Sequence, residues 1–565
     1  MSHVSSSSPR SGRPERCRWR PGWQSWLSIL LLAHGSIAMC EPPPAGYSAN
    51  EAQFQTSDRC LACHNGLVSP NGEDVSMGFD WRTSVMANSG IDPYWEASLR
   101  RETLDHPEST AAIEDDCATC HMPIARYHAH LQGRTPDVFA HLPLDPALGL
   151  AKEFADGVSC STCHQITPQG LGTPASYNGG FVVAGPEPDG AHAEYGPFDI
   201  DPGLMRVMRS STSGFQPTHG NQIRSSELCA SCHTLITRAL GPGGQVIGSL
   251  PEQVPYQEWQ HSAFYNQQSC QSCHMPAIPE PVAITRILGV LRSGARHHQF
   301  IGGNFFLQRM LARYHDPLGL IPSTQEFSAA ANRTVAFLQS QSARVSVGAP
   351  RIRAGRLELE VAVENLAGHK LPTAYPSRRA WLHVTVRDGN GRTIFESGAL
   401  RPNGAIVGNV NDEDPLRYEP HFREIRSADE VEIYESILGD RNGAVTTALL
   451  DAVGYLKDNR LLPRGFDKQT ASSQIAVHGD ALQDPAFTGG EDRVRYSIAL
   501  GTAAGPYHVE AQLMYQPIGY RWAANLKAYD RAPEPARVNG YYDSMGPATA
   551  ITLAQASAVS AEYPH

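Results

Sequence analysis

The second half of the chain shows the alternation of apolar and polar residues that is typical of β-strands. Leu357 to Glu364, with the sequence LELEVAVE, places an apolar side chain at every second position, as in a strand with one face in a protein core. Asp388-Gly389-Asn390-Gly391 separates two apolar segments, which is a strong hairpin signal. Further strands are predicted at Trp381 to Val386, Thr393 to Glu396, Val431 to Ile437, Val494 to Leu500 and His508 to Tyr515.

The first half has short apolar segments separated by loops that are rich in glycine and proline. The chain contains 50 Gly and 42 Pro, and this pattern predicts short helices joined by long loops. Helices are predicted at Trp81 to Asn88, Tyr94 to Leu104, Tyr256 to Tyr265, Phe305 to Tyr314 and Gln325 to Leu338.

The two patterns together predict an α+β fold with several regions. A loop-rich, mainly helical domain covers residues 39–325, and a helical linker covers 326–350. An antiparallel β-sandwich-like domain follows at 351–530, and residues 531–565 form an irregular C-terminal tail.

The N-terminal 38 residues have the pattern of a signal peptide. A basic segment precedes a short apolar stretch, Leu27 to Ala38, and Ser36-Ile37-Ala38 fits a cleavage site. The apolar stretch is shorter than a membrane-spanning helix needs, although an uncleaved anchor is the alternative. Cys40, just after the cleavage site, would allow lipid attachment, but Met39 fits that motif poorly. The basic residues are Arg10, Arg13, Arg16, Arg18 and Arg20.

Five copies of Cys-x-x-Cys-His are the most specific chemical signal in the chain. In such a motif, two thiols form thioethers to the haem vinyl groups and the adjacent His binds the iron. The motifs use ten of the 12 cysteines, and the sequence therefore predicts five covalently bound haems c. The motifs are Cys60-Leu-Ala-Cys63-His64, Cys117-Ala-Thr-Cys120-His121, Cys160-Ser-Thr-Cys163-His164, Cys229-Ala-Ser-Cys232-His233 and Cys270-Gln-Ser-Cys273-His274.

Zinc sites and disulfides are the alternatives for these cysteines. A zinc site made of four cysteines needs Cys-x-x-Cys pairs in even number, whereas this chain has five. Neither a zinc site nor a redox disulfide requires a His directly after the second Cys. All five motifs have that His, which favours haem attachment.

The net charge limits the class of partner. It is −11 at neutral pH, and removal of the basic leader would make the chain more acidic. This charge argues against a nucleic-acid partner. It favours redox proteins, a donor and an acceptor, that dock through basic surfaces.

The motif sequences resemble those of multihaem c-type cytochromes related to the nitrifier tetrahaem cytochrome. The shared text includes CATCHMP from Cys117, CQSCHMP from Cys270, and Gly302-Gly303-Asn304 after His298. Gly368-His369-Lys370-Leu371-Pro372-Thr373 and the following Arg378-Arg379-Ala380-Trp381 resemble a β-domain that is often fused to such cytochromes. The resemblance implies electron transfer. The Cys-x-x-Cys-Lys motif of the pentahaem nitrite reductases does not occur in this sequence, so that activity is not supported.

The ligand on the second face of each iron decides whether a haem is closed or open to substrate. His261 lies on a predicted helix nine residues before Cys270, and His219 lies ten residues before Cys229. His298 competes with its neighbour His297, and His128 with His130. Met86 is the candidate for a His/Met haem, with a core position as its alternative. His106, His192 and His421 are reserves.

His369 is the candidate ligand from the β-domain. It lies in a loop after a predicted strand, flanked by Gly368 and Pro372, and such a loop can reach a haem in the other domain. Arg378 and Arg379 follow closely and would match haem propionates well, with a solvated pair at a strand edge as the alternative.

The main functional hypothesis is a periplasmic or cell-surface cytochrome that transfers single electrons along closely spaced haems. One alternative is an oxidoreductase that acts on a small nitrogen or sulfur compound at an open haem. The other is a subunit that associates with further cytochromes at a membrane or cell surface. The sequence contains no catalytic signature that would identify a reaction.

Overall fold

Each of the five motifs lies on or beside a short helix. The structure is a computed structural model that describes residues 53–142, 149–212 and 214–561. The proposed signal peptide at 1–38 and Cys40 lie outside these residues. The helices are α1 Asp58–His64, α2 Met77–Trp81, α3 Pro93–Asp105, α4 Thr110–His121, α5 Pro123–Leu131, α6 Gly149–Ala155, α7 Cys160–His164, α8 Pro202–Thr212, α9 Ser226–Ala230, α10 Pro255–Gln260, α11 Cys270–His274, α12 Phe305–Arg313, α13 Thr324–Gln341, α14 Val410–Glu413, α15 Tyr520–Leu526 and α16 Pro533–Met545.

Several helix starts follow from capping residues in the sequence. The Asp92 carboxylate accepts the backbone N–H of Tyr94 at 2.9 Å, and Pro93 occupies the first turn of α3. Ser323 and Glu326 form a capping box at the start of α13. These contacts satisfy backbone donors that a helix start leaves unpaired.

The strands are short before residue 300 and longer in the second half. They are β1 His192–Gly196, β2 Phe215–His219, β3 Leu235–Leu240, β4 Val246–Gln253, β5 Val282–Ala283, β6 Leu291–Arg292, β7 Ala343–Val347, β8 Arg351–Arg353, β9 Arg356–Asn365, β10 Arg379–Arg387, β11 Thr393–Ser397, β12 Glu424–Ile425, β13 Ile433–Tyr434, β14 Ser436–Asp440, β15 Val445–Thr446, β16 Ala452–Asp458, β17 Glu491–Ala499, β18 His508–Gln516 and β19 Ile551–Val559.

Two five-stranded sheets form the second half of the fold. One has the order β11-β10-β18-β19, with β13 beside β10, and the other has the order β12-β17-β9-β7, with β8 beside β9. The pairings are antiparallel except that β12 runs parallel to β17. Strand β9 alternates buried and partly buried residues along its length, so its apolar residues enter the core as the sequence pattern predicts. The α+β class is confirmed.

The apolar core is continuous across the domain boundary expected near residue 325. Tyr94 of α3 and Phe305 of α12 belong to the same buried cluster as Val361 of β9 and Leu513 of β18. Helices from the first half therefore cover the sheets of the second half. Within the described ranges, every helix is too short or too polar to cross a bilayer.

The expected linker and tail differ from the structure. The linker at 326–350 contains most of α13 but also β7, which pairs with β9. The segment 531–565, expected to be irregular, contains α16 and β19, and β19 pairs with β18 along its length. Small residues dominate β19, ITLAQASAV, so its hydrophobic signal is weak although the strand is well paired.

A buried ionic cluster joins three parts of the β-half. His421 Nδ1 lies 2.8 Å from Glu432 Oε1, and His421 Nε2 lies 3.1 Å from Asp484 Oδ2. Because both partners are carboxylates, both ring nitrogens donate and the ring is an imidazolium. Burial alone would lower the pKa of His421, but the carboxylates, Glu432 first, raise it to about 10. His421 is therefore the counter-ion of the cluster and not a candidate haem ligand.

Replacement of His421 should destabilise the protein strongly. We expect His421→Gln to reduce the free energy of unfolding by about 3–5 kcal/mol at pH 6, because it leaves buried carboxylates without their cation. Because the pKa of His421 is raised in the folded state, its positive charge stabilises the fold fully below about pH 6.5. This stabilisation is lost as the pH rises through about 10. The difference between wild type and variant should therefore shrink towards pH 10 in denaturant titrations.

His383→Gln is the matched control for this change. His383 Nε2 also contacts a carboxylate, Glu396 Oε1 at 3.0 Å, but the Glu396 side chain is 45% exposed. An exposed pair of this kind contributes about 0–1 kcal/mol. Equal losses in the two variants would contradict the role assigned to His421.

Candidate functional site

All five motifs line one large cavity. Its volume is about 2140 Å³, and its lining includes both cysteines and the histidine of every motif. Sites for single small molecules have volumes of roughly 300–1,000 Å³, so this space exceeds the needs of one ligand. The cavity runs between the helices of the first half and the loops at residues 366–378 and 515–518.

Helical turns give each motif its geometry. In four motifs both cysteines and the His lie on one helix, α1, α4, α7 or α11. Residues three and four apart share one face of an α-helix, so the first Cys shares a face with the second Cys and the His. In the fourth motif α9 ends at Ala230, and the His233 N–H donates to the Cys229 carbonyl at 2.9 Å, which continues the turn. Ser159 and Ser269 directly precede two of the motifs, and each accepts a backbone N–H three residues on, from Thr162 and Ser272. These serine caps fix the starts of α7 and α11 and hence the direction of their side chains.

Four of the five motif histidines are oriented by backbone carbonyls. In each, Nδ1 donates to a carbonyl oxygen, which leaves Nε2 unprotonated and able to bind a metal. The fifth, His233, lines the same cavity as Arg378. Burial, followed by the charges of His274 and Arg378, lowers the pKa of His233 to about 4. The four contacts are His64 to Ile284 at 2.6 Å, His121 to Ser89 at 3.0 Å, His164 to Tyr195 at 2.6 Å and His274 to Ile301 at 2.5 Å.

Two motif histidines face a second imidazole across a gap. The ring centroids of His164 and His298 are 6.4 Å apart at an interplanar angle of 15°. Those of His274 and His369 are 6.2 Å apart at 9°. Two imidazoles on opposite sides of one metal ion, with nitrogen–metal bonds of about 2.0–2.1 Å, have centroids roughly 6.3 Å apart. The donor set and its spacing therefore fit a six-coordinate haem iron at both places.

The two facing histidines also present the correct nitrogen. His298 Nδ1 donates to the Arg296 carbonyl at 3.0 Å, and His369 Nδ1 donates to the Lys370 carbonyl at 2.8 Å. Nε2 of each ring is then unprotonated and able to bind a metal. The competitor His297 contacts Asp80 Oδ2 at 2.8 Å and Glu73 Oε1 at 3.4 Å instead, so its ring nitrogens are occupied by carboxylates.

Three other candidate histidines lie away from the cavity. His261 directly follows α10, and its Nε2 donates to the Asp467 carbonyl of the β-half at 2.9 Å. The His219 side chain is 45% exposed, beside Asp199. His128 is buried on α5 with Nδ1 at 2.9 Å from Glu153. None of the three lines the cavity, and their assignment as iron ligands stays a prediction.

Met86 and the two arginines have different positions. Met86 lines the cavity, where its carbonyl also accepts the backbone N–H of Val158 at 3.0 Å. Arg378 lines the cavity too and donates Nη1 to the Thr373 carbonyl at 3.0 Å. Arg379 instead forms a bidentate ion pair with Asp412, at 2.8 and 2.9 Å, and is buried. Of these two arginines, Arg378 is the one that lines the cavity.

Contacts between thiols of different motifs give the spatial order of the motifs. Among the described residues, the ten motif cysteines form no disulfides. Hydrogen bonding between Cys60 and Cys160 raises the pKa of the first thiol and lowers that of the second. Cys120 interacts in the same way with Cys232, and Cys229 with Cys270. The charge of Cys232 also raises the pKa of Cys163.

These contacts describe a branched series. The first motif adjoins the third, and the fourth adjoins both the second and the fifth. The third motif lies near enough to the fourth for the charge of Cys232 to act on Cys163. The fourth motif, with Cys229 and Cys232, is therefore the junction. The sequence contains no signal for this order, because contacts between motifs depend on tertiary packing.

The comparisons with known proteins agree with this fold. The structure is similar to the crystal structure of a penta-heme cytochrome c552 from Thermochromatium tepidum, with a TM-score of 0.50 and 15% sequence identity. The match covers 90% of this chain and 100% of that chain. At this identity the likeness shows a multihaem cytochrome-like fold. No family profile matches the chain, and no curated protein matches it.

Gly90 should be intolerant of a side chain because of its place beside the second motif. A Cβ atom at Gly90 would lie 2.1 Å from the Phe154 carbonyl oxygen, and the preceding residue, Ser89, accepts the His121 Nδ1 hydrogen bond. We expect Gly90→Ala to reduce the free energy of unfolding by about 1–3 kcal/mol, as overpacking does, in denaturant titrations of the mature protein.

Gly185→Ala is the control. Gly185 is exposed and does not line the cavity, and a Cβ atom there meets nothing within 4 Å. Its stability should stay within about 0.5 kcal/mol of wild type. A loss as large as that of Gly90→Ala would show that steric contact at Phe154 is not the cause.

Proposed function

We propose that this protein is a c-type cytochrome with five covalently bound haems that transfers electrons one at a time. The observation that carries the proposal is the single cavity lined by ten motif cysteines and five motif histidines. The ten cysteines would hold the haems as thioethers: Cys60, Cys63, Cys117, Cys120, Cys160, Cys163, Cys229, Cys232, Cys270 and Cys273. The motif histidines would be the proximal ligands.

His298 and His369 would be the distal ligands of the third and fifth motifs. Their centroid distances of 6.4 and 6.2 Å from the motif histidines support this assignment. When bound, haem supplies an iron that changes between Fe(III) and Fe(II), and two imidazoles give a closed, low-potential site. The chain's own contribution is to hold both rings in place by carbonyl hydrogen bonds and to exclude ligands from the iron.

The order of the motifs supports a role as an electron conductor. Adjacent thiols link the first, third, fourth and fifth motifs in one series, with the second beside the fourth. The first and fifth motifs lie at opposite ends of that series. A donor and an acceptor that dock near these ends would exchange electrons through the protein.

The wider setting follows from the sequence. We propose that the chain is exported to the periplasm or cell surface, that its partners are redox proteins, and that it is related to the nitrifier tetrahaem cytochromes with a fused β-domain. The two five-stranded sheets and the loop with His369 support the last point. We also propose that the protein associates with other cytochromes at a membrane or cell surface. Nucleic acid is not among the proposed partners.

A redox titration of the mature protein, combined with iron analysis, tests the proposal. We expect five irons per chain and five one-electron steps, because each motif holds one haem. Fewer than five iron centres, or iron that acid and organic solvent extract from the protein, would contradict covalent attachment at all five motifs.

A second candidate function is chemistry at an open haem. Among the described residues, His64, His121 and His233 have no opposing imidazole at the spacing seen for His298 and His369. Arg378, whose charge acts on His233, would favour a small anion in that part of the cavity. A high-spin signal, with spectral changes on addition of cyanide or nitrite, would favour this function. A fully low-spin protein would exclude it.

Removal of a distal ligand should open one haem. We expect His369→Ala and His298→Ala each to convert one low-spin iron into a high-spin iron that binds cyanide, because the sixth ligand is lost. Electron paramagnetic resonance of the oxidised protein measures the change. Unaltered low-spin intensity in either variant would contradict that assignment.

His297→Ala is the control for His298→Ala. His297 is adjacent to His298 but pairs with Asp80 and Glu73. It should lose stability without any change in spin state. A high-spin iron in His297→Ala, with none in His298→Ala, would show that His297 is the distal ligand and His298 is not.

A further inference from the structure

A buried carboxylate holds the loop that carries His369. Glu258 lies on α10, twelve residues before the fifth motif, and is 0% exposed. Its Oε2 accepts the backbone N–H of Lys370 at 3.1 Å and the hydroxyl of Thr373 at 2.5 Å. The two donors follow His369 in the loop, so Glu258 fixes the backbone directly next to the candidate ligand.

Other contacts complete the support of this loop. Asn365, 1% exposed, donates Nδ2 to the His369 carbonyl and to the Leu461 carbonyl, both at 2.9 Å. The backbones of Leu371 and Leu461 exchange two hydrogen bonds of 2.9 Å. The His369 ring is therefore held from the segment that follows β16 as well as from α10.

Glu258 also belongs to a charge-balanced network. Its Oε1 lies 3.1 Å from Arg460 Nη1, Arg460 Nη2 lies 2.7 Å from Asp458 Oδ2, and Lys370 Nζ lies 2.6 Å from the same oxygen. Each of the four residues is at most 5% exposed. Two cations and two anions balance, and loss of one would leave an uncompensated buried charge.

The network lies close enough to the candidate iron site to act on it. The charge of Glu258 acts on the His369 ring, as do those of His274 and Arg378. In a buried region, where water screens poorly, a unit charge changes the energy of a nearby charge by more than it would at the surface. An anion near an iron stabilises the more positive Fe(III) form.

We propose that Glu258 is a positioning residue for His369 and that its negative charge keeps the reduction potential of the fifth-motif iron low. The proposal rests on the proposed function, since it requires haem at that motif. It also explains how the β-half and the first half act together at one site. Glu258 lies on α10 and His261 directly follows that helix, but Glu258 supports the loop with His369 while His261 contacts Asp467.

The test is a potential measurement on Glu258→Gln in the mature protein. The amide oxygen can still accept the Lys370 N–H, but Arg460 loses an anionic partner and the network gains one net positive charge. We expect the iron that becomes high-spin in His369→Ala to shift at least tenfold towards the reduced form, which is 59 mV upwards for one electron. Its low-spin signal should persist in Glu258→Gln.

Glu252→Gln is the matched control. Glu252 is also buried and lines the cavity, but its carboxylate accepts the Thr237 hydroxyl and acts on Cys117 and Cys120 of the second motif. The fifth-motif iron should keep its potential in this variant. An equal shift of that iron in both variants would overturn the specific role of Glu258.

Asp458→Asn provides a second route to the same result. It removes a negative charge from the network without touching the backbone contacts of Glu258, so an upward shift of the same iron is expected even if Glu258→Gln does not fold. Unchanged potential in a folded Glu258→Gln or Asp458→Asn would overturn the proposal. If five irons titrate and His369→Ala opens one, that failure leaves the proposed function intact; absence of the irons would contradict the proposed function itself.

Discussion

The first half of this fold depends on what fills the space between its five motifs. The cavity of about 2140 Å³ lies where a protein of this size would normally have side chains packed at high density. The apolar clusters around it are small, such as the one formed by Leu67, Val75, Ile278, Val282 and Ala295. Short helices, long loops and scattered apolar residues make physical sense if large, flat apolar groups attached to the chain replace most of the core.

The β-half is an integral part of that arrangement. Its sheets share one apolar core with α3 and α12, and its loop at 366–373 brings His369 to the cavity wall. A buried ion pair between Lys370 and Asp458 ties this loop to the end of β16, and hydrogen bonds to Glu258 tie it to α10. Such pairs add little net stability, but breaking one is costly. The arrangement therefore favours one relative placement of the ligand loop and the fifth motif.

The sequence predicted the features that depend on local pattern and on fixed spacing. The five Cys-x-x-Cys-His motifs and the alternating strands β9, β10, β17 and β18 are of this kind. His261 and Glu258 show where such reasoning ends. Glu258 lies on α10 and His261 directly follows it, and only tertiary contacts decide which of the two reaches the loop with His369. The same holds for His298 and its neighbour His297, because Asp80 on α2 hydrogen-bonds to the His297 ring. Strand β19 was missed because its small residues carry little hydrophobic signal.

The most direct test of the central claim is the intact mass of the mature protein, measured with and without a thiol-blocking reagent. The account predicts the mass of the chain plus five haems and no reaction of the ten motif cysteines. The side chains of Cys60 and Cys160, and those of Cys120 and Cys232, are close enough to interact. Disulfide bonds between motifs are therefore the alternative to haem attachment that this experiment must exclude. A mass with fewer than five haems, together with free or disulfide-bonded motif cysteines, would contradict a fold built around five covalently attached haems.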